Sequence, residues 1–348
     1  MINNSQIYKQ DLIITKKHIL NLEKLQNSSI LITGATGTVG SFLVDVLAEF
    51  NNLNSAGITI YAAGRSRERL STCFDTIKQY GVKYVEYDLL KSLNFDFPVD
   101  YIIHVAGNAY PAAFSENPVE TLYGSIFGAY NILEYARNHN VKRVLYISSG
   151  EVYGQGDISL SDYKEDYCGY VDPMSARSCY PNGKRATETL CASFVKEYKI
   201  DCVVARLCHT YGPTITKNDN RANVQFFHNV LNDEDIVLKS AATQMRSYNY
   251  IADAASAIFS VLTSGICGEV YNIANKQSVC TIADFAKYVA AASNHKVIFK
   301  IPDENDKKNL SPIPKQVLNT EKLEKLGWKG FFSIKDGIYH TLNILRGN

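Results

Sequence analysis

The stretch SSILITGATGTVGSFLVDVLAEF (28–50) decides the fold. SILIT (29–33) is a short apolar run that reads as a buried strand, and SFLVDVLAEF (41–50) spaces its apolar residues as a helix does. Between them Gly34, Gly37 and Gly40 stand three apart. In a strand-to-helix turn each glycine has its own use. Gly34 permits the tight turn, Gly37 lets the main chain approach a pyrophosphate, and Gly40 lets the helix pack closely on the sheet. The start of the helix then offers unpaired N–H groups to the anion. Thr36, Thr38 and Val39 complete the expected dinucleotide-binding turn.

Outward from this turn the same alternation continues. ITIYAA (58–63), VKYVEYD (82–88), YIIHVA (101–106), KRVLYISS (142–149) and DCVVARL (201–207) read as strands. RERLSTCFDTIKQY (67–80), PVETLYGSIFGAYNILEYARNH (118–139) and CYPNGKRATETLCASFVKEY (179–198) read as helices. Strands and helices in turn with short joins predict an α/β fold with a doubly wound parallel sheet. Residues 1–28 read as an N-terminal helical extension and 29–210 as a dinucleotide-binding domain. Residues 211–348 are expected to form mainly a smaller substrate lobe, with some segments returning to the first domain. Within it 211–250 reads as polar and loop-rich, 251–264 and 281–293 as helices (Thr281 capping the second), and 301–315 as an exposed loop.

Composition narrows the function. The 348 residues carry 36 basic and 35 acidic side chains, a net charge of +1, with no basic block. That excludes an electrostatic footprint for nucleic acid. No stretch approaches the roughly 20 apolar residues of a membrane span, and MINNSQIYKQDLIITKKHIL (1–20) lacks the apolar core of a secretory leader. The eight cysteines are scattered, with no C-x-x-C pair, and read as reduced, mostly buried thiols without a metal site. A cytoplasmic protein is expected. Apolar residues in 118–138 and 179–198 beyond one buried stripe (Tyr123, Ile126, Phe127, Tyr130; Leu190, Phe194, Val195) point to a homodimer.

Chemistry enters at CYPNGK (179–184). Tyr180 and Lys184 are four apart on a helix and share a face. A free tyrosine titrates near ~10, and a neighbouring ammonium favours its phenolate. The expectation is a lowered Tyr180 pKa and a base for a hydroxyl proton.

The spacing GxxGxxG, HVAGNA (104–109), ISSGEVYG (147–154), the YxxxK of 180–184, RLCHTYGP (206–213) and QMRSYNYIAD (244–253) together resemble the extended short-chain dehydrogenase/reductases. These are the NAD(P)-dependent nucleotide-sugar epimerases and dehydratases, and the resemblance covers roughly residues 29–345. It implies a Rossmann-type sheet, a smaller C-terminal lobe for a nucleotide-diphosphate sugar, and helix pairing in a dimer. It places Ser149 beside Tyr180 and Lys184 as the third member of a catalytic set, hydrogen-bonded to the reacting oxygen. It puts Ala106 against the cofactor, Asp88 and Leu89 on its adenine side, and Asn108, His209, Arg221 and Arg246 on the substrate side. The positively charged nicotinamide ring would also favour the Tyr180 phenolate.

Glu151 resembles the base of the sugar 4,6-dehydratases and UDP-glucuronate decarboxylases. CYPNGKRATETL is similar to the decarboxylases in particular. Three positions depart from the family: Ser125 and His209 stand where asparagines are usual, and Gly150 stands where the dehydratases carry an acid and the decarboxylases a serine. Glycine donates nothing through a side chain. Its presence hurts loss of a C6 hydroxyl, which needs an acid, more than loss of carbon dioxide. At the end of the second strand Gly64 replaces the acid that holds a ribose hydroxyl in NAD enzymes, and Arg65 follows. That leans toward NADP.

The expected enzyme therefore oxidises a nucleotide sugar at C4 and then works at C5 through Glu151, by decarboxylation or dehydration. Two other readings remain: a C4 epimerase or 4-keto-sugar reductase, and a non-catalytic dinucleotide sensor on the same fold. An intact Ser149, Tyr180 and Lys184 set speaks against the sensor.

Overall fold

The computed structural model describes residues 2, 5–91, 93, 95–216, 219–300 and 313–347. Its centre is a parallel sheet of β1 (Ser29–Thr33), β2 (Thr59–Gly64), β3 (Val82–Glu86), β4 (Tyr101–His104), β5 (Arg143–Ser149), β6 (Cys202–Leu207) and a late strand, β10 (Val270–Ile273). The order is β10-β6-β5-β4-β1-β2-β3. The chain reverses direction of travel between β1 and β4, and in such sheets the ligand crevice opens at the carboxyl ends of those two strands.

The inner strands are apolar on both faces because helices cover both sides. Ile30, Ile32, Ile60, Ala62, Leu145, Ile147, Val203 and Ala205 enter one core. The alternate residues Leu31, Tyr61, Ala63, Val144, Tyr146, Cys202 and Val204 enter the other. Against the first face lie α2 (Thr38–Asn54) and α8 (Ile251–Ser264), whose Phe42, Leu43, Ile258 and Leu262 are buried. Against the second lie α5 (Pro118–Asn138) and α6 (Cys179–Tyr198), through Ile132, Leu133, Cys191 and Phe194. Helix α3 (Arg67–Phe74) follows β2, and the short α4 (Pro111–Glu116) precedes α5.

The first segment does form a helix, α1 (Gln6–Lys17), capped by Ser5, whose hydroxyl accepts from Tyr8 N–H. It is no loose extension, since Tyr8 and Leu12 belong to the same core as α2 and α8. Residues 211–250 are more regular than their polar composition suggested. They hold the end of β7 (His209–Tyr211), α7 (Ala222–Leu231), β8 (Ile236–Leu238) and β9 (Met245–Tyr250). Val224, Phe227 and Val230 supply the helical spacing of α7 and are buried, although polar residues surround them. The smaller lobe adds β11 (Val279–Thr281), α9 (Ile282–Ala292), β12 (Val297–Phe299), β13 (Lys315–Gln316) and α10 (Glu321–Lys325). Strand β9 pairs with β7, β11 and β13. Thr281 caps α9 as expected, accepting from Asp284 N–H at 3.0 Å. The chain then returns to the first core through α11 (Ile334–Arg346).

Of the exposed loop expected over 301–315, residues 301–312 lie outside the described residues. Ile313 is buried and Lys315 starts β13. Among the described residues no helix is long and apolar enough to cross a membrane, and all eight cysteines are free thiols.

Candidate active site

The glycine turn is built as its spacing requires. Gly34 has φ +67°, and a Cβ there would lie 2.9 Å from the main-chain N and Cα of Ala106. Both the left-handed backbone and the close approach of β1 to the end of β4 exclude a side chain. A Cβ on Gly40 would lie 2.3 Å from Gly34 O, so this glycine lets α2 sit directly on the turn. Gly37 is the N-cap of α2 and contributes no side-chain bond. The first N–H groups of α2 thus face the crevice with no capping oxygen in front of them, a cradle that fits the pyrophosphate of a dinucleotide. Beneath it Thr33 Oγ1 accepts from Ala106 N–H at 3.2 Å and pairs with His104 Nδ1 at 2.8 Å. Burial holds the His104 pKa down to about 3, so a neutral ring ties β1 to β4.

A cavity of about 1210 Å³ runs from this turn across the carboxyl ends of the strands into the smaller lobe. Gly34, Thr36, Gly37, Thr38 and Val39 line it at one end, with Arg65, Asp88, Leu89 and Ala106. Ser149, Glu151, Tyr180 and Lys184 line it further along, and Asn108, His209 and Arg221 on the lobe side. Gly40 acts behind the turn and Arg246 behind the wall; neither lines the cavity.

Tyr180 and Lys184 enter from the first turns of α6, and Ser149 ends β5. The Ser149 hydroxyl faces Tyr180 closely enough to favour its phenolate. The expected lowering of the Tyr180 pKa is not found: it is pushed up to about 12. Burial is the largest cause and the Glu151 charge the next, and the Ser149 hydroxyl offsets them only in part. Lys184 does not reach the phenol oxygen to counter this. Its Nζ donates to Ile147 O at 2.7 Å and lies 5.8 Å from the Tyr180 ring centre. Burial lowers the Lys184 pKa to about 8.

Glu151 follows in the tight turn Gly150–Tyr153, its N–H donating to Ser149 Oγ at 3.2 Å. Arg177 Nη2 donates to both Glu151 carboxylate oxygens, at 3.0 Å each. The same guanidinium lies 4.7 Å from the Phe114 ring centre, and Phe114 stacks on Tyr180 at 4.4 Å. Arg177 was not among the residues expected at the site. Its signal was available in SARSCYPNGK, one helical turn before Tyr180.

The lobe-side residues differ in availability. Asn108 donates to Thr121 Oγ1 at 3.1 Å. Arg221 is chelated by Asp219, with its Nη2 at 2.6 Å, and also donates to Thr210 O. His209 is neutral, its pKa lowered to about 3 by burial and by the charges of Arg246 and Arg221, and its Nδ1 is buried without a partner. Arg246 is buried and donates to Met245 O and Ile313 O, so it acts on the site through its charge rather than by contact. Ser125 spends its hydroxyl on Thr121 O.

Residues 30–274 match the NAD dependent epimerase/dehydratase family. The chain is 30% identical over 312 residues to UDP-glucuronic acid decarboxylase 5 of Arabidopsis thaliana, covering 90% of this chain and 87% of that one. It is 29% identical over 344 residues to UDP-glucuronic acid decarboxylase 1 of Danio rerio, covering 97% and 78%. In fold it is similar to UDP-glucose 4-epimerase from Thermotoga maritima, solved with UDP-glucose, with a TM-score of 0.75, 22% identity and coverage of 92% and 99%. It is also similar to dTDP-glucose 4,6-dehydratase from Streptomyces venezuelae, solved with NAD, with a TM-score of 0.76, 21% identity and coverage of 92% and 97%. At these identities the solved structures establish the Rossmann-type fold alone.

Proposed function

We propose, for a chain that belongs to the NAD dependent epimerase/dehydratase family, an enzyme that oxidises a nucleotide sugar at C4 and then releases carbon dioxide from C5. One observation carries this reading: Ser149, Tyr180 and the Glu151 carboxylate line one cavity with the dinucleotide turn. Tyr180 takes the C4 hydroxyl proton, and Ser149 holds the same oxygen. A nicotinamide cofactor held by the glycine turn would supply a hydride acceptor for C4 and a donor for its return. A ketone at C4 makes a C6 carboxylate a β-keto acid. The C5–C6 bond then breaks with its electron pair delocalised onto the C4 oxygen, and C5 is reprotonated. Glu151 stands for that proton transfer. Gly150 offers no acid for a departing hydroxyl, which favours decarboxylation over dehydration. The resemblance to UDP-glucuronic acid decarboxylases supports the same choice.

A second reading, C4 epimerisation, is favoured by Arg177, which already engages both oxygens of Glu151. Incubation with UDP-, dTDP-, CDP- and GDP-sugars, read by mass, separates the two: loss of carbon dioxide supports the first, isomerisation the second. Glu151→Gln tests the role of the carboxylate. Oxidation should proceed and reduced cofactor, absorbing near ~340 nm, should accumulate while product formation falls ~10²–10⁴-fold. Normal turnover of this variant would remove Glu151 from the chemistry.

NAD dependence is the family's property, and a preference for NADP is proposed from the second strand. Arg65 lines the cavity beside Gly64. A Cβ on Gly64 would meet only ordinary contacts, the nearest 3.5 Å away, so packing does not exclude an acid there. A 2′-phosphate would meet a guanidinium and no carboxylate at that strand end. The nucleotide extracted from purified protein should be NADP, and Arg65→Ala should weaken NADP more than NAD. Extraction of NAD alone, with equal effects of the substitution, contradicts the preference.

A further inference from the structure

We propose that Gln316 recognises the substituent on C5 of the sugar, occupying the space that Gly150 leaves between Ser149 and Glu151. The inference rests on the C4-oxidation reading above and adds a residue from the other lobe. A Cβ placed on Gly150 would lie 3.3 Å from the Gln316 amide carbon, 3.4 Å from its Nε2 and 3.2 Å from Leu318 Cδ2. The carboxamide therefore packs directly against the position where a side chain of residue 150 would begin.

Three features mark this amide as a binding group. Gln316 is only 4% exposed, yet it lines the cavity that holds Ser149, Glu151 and Tyr180. No hydrogen bond to another described residue engages its side chain. Among the described residues nothing competes with an incoming ligand oxygen for this amide. Strand β13 fixes its backbone, paired in parallel with β9 so that Gln316 is opposite Arg246.

The order of groups along the turn names the ligand atom. Ser149 and Tyr180 hold the C4 oxygen, and Glu151 faces C5. The group that reaches the position between them is the exocyclic one on C5. Nε2 donates to its oxygen, and a carboxylate accepts most strongly because the bond is charge-assisted. The buried charge of Arg246, near enough to act on Glu151, favours an anion in the same place. A neutral carboxamide has no proton to release at neutral pH. Gln316 thus holds a C6 carboxylate without being able to expel a C6 hydroxyl.

The test is titration of the cofactor-loaded protein with UDP-glucuronate and with UDP-xylose, which lacks C6. Wild type should bind UDP-glucuronate more tightly. Gln316→Leu should weaken UDP-glucuronate by about ten- to a hundred-fold, the worth of a hydrogen bond to a charged group, and leave UDP-xylose within about twofold of its wild-type affinity. Gln316→Glu keeps the shape and adds a like charge, so its loss for UDP-glucuronate should be larger still, again with UDP-xylose spared. Absence of a wild-type preference, or equal factors for both sugars in the Glu variant, overturns the proposal. Product mass from wild type keeps the two readings apart. Loss of carbon dioxide with Gln316 indifferent sinks this inference alone, whereas selective binding without C5 chemistry sinks the reaction and spares the contact.

Discussion

Tyr180 and Lys184 show how a residue pair can be legible while its electrostatics are not. The four-residue spacing on α6 does bring both into the cavity. The ammonium, however, is spent on the Ile147 carbonyl, and burial raises the phenol to about 12. In the free protein Tyr180 is therefore protonated at neutral pH, and turnover requires its phenolate to be favoured by the Ser149 hydroxyl and by positive charge brought in with the cofactor. Tyr180→Phe should abolish C4 oxidation, with loss of ~10²–10⁴-fold or more in the rate at which absorbance near ~340 nm appears. UDP-sugar binding should change little, because the ring stays stacked on Phe114. Retained oxidation would show that another group takes the proton. Arg177→Met should free Glu151 from its ion pair. If decarboxylation is the reaction, the freed carboxylate should raise C5 chemistry relative to C4 oxidation, measured as product formed against 4-keto sugar trapped; an unchanged ratio would count against a role for the pair.

At the scale of elements, the contact between α2 and the β1 turn depends on glycines for different reasons. Gly40→Ala drives a Cβ to 2.3 Å from Gly34 O, and backbone on both sides must move. We expect a loss of about 1–3 kcal/mol from this overpacking, seen as a lower thermal midpoint, together with weakened cofactor binding. Gly64→Ala meets nothing closer than 3.5 Å and should be nearly silent in the same melt. Equal midpoints for the two variants would refute the packing argument. Helices α5 and α6 lie side by side, and α5 leaves Val119 (73%) and Tyr123 (52%) exposed. Phe194, expected at an interface, is instead buried in the core, edge-on to Tyr130. The apolar strip that remains is the proposed dimer face. Tyr123→Glu should shift the protein to monomer by light scattering at micromolar concentration. A wild-type monomer there would remove the interface.

Across the whole molecule, α1 is pinned at both ends of the fold. Asp11 accepts from Tyr250 at 2.5 Å and pairs with His340 at 2.7 Å, while Tyr8 donates to Asp45 of α2 at 2.5 Å. Burial raises the Asp45 pKa from 3.8 to about 7, and the Tyr8 bond lowers it only in part. Its second oxygen, Oδ1, is buried and has no hydrogen-bond partner among the described residues. The folded state thus holds this proton more tightly than the unfolded chain. The Asp45 contribution is fully favourable below about pH 4 and is lost as pH rises to about 7, at up to about 1.4 kcal/mol per unit and about 4 kcal/mol in all. Asp45→Asn, which stays neutral, should gain thermal stability relative to wild type as pH rises from 4 to 7, with no further change above. Parallel melting curves for the two proteins across that window would count against a buried, protonating Asp45.

The order of the main strands and helices over residues 29–207, the glycine turn and the shared face of Tyr180 and Lys184 were legible in the sequence. Those features rest on local periodicity and short spacings: two residues for a strand, four for a helix face, three between glycines; the roles of Ser149 and Glu151 came from the family resemblance. Tertiary structure alone decided that Arg177 clamps Glu151, that Arg246 lies behind the wall, and that α1 belongs to the core. It also decided that Gln316, 166 positions beyond Gly150 in the chain, fills the space beside it. The physical reason is that burial and pairing join segments far apart in sequence. A carboxylate, an ammonium or an amide takes its charge state and its partner from whatever the fold packs against it.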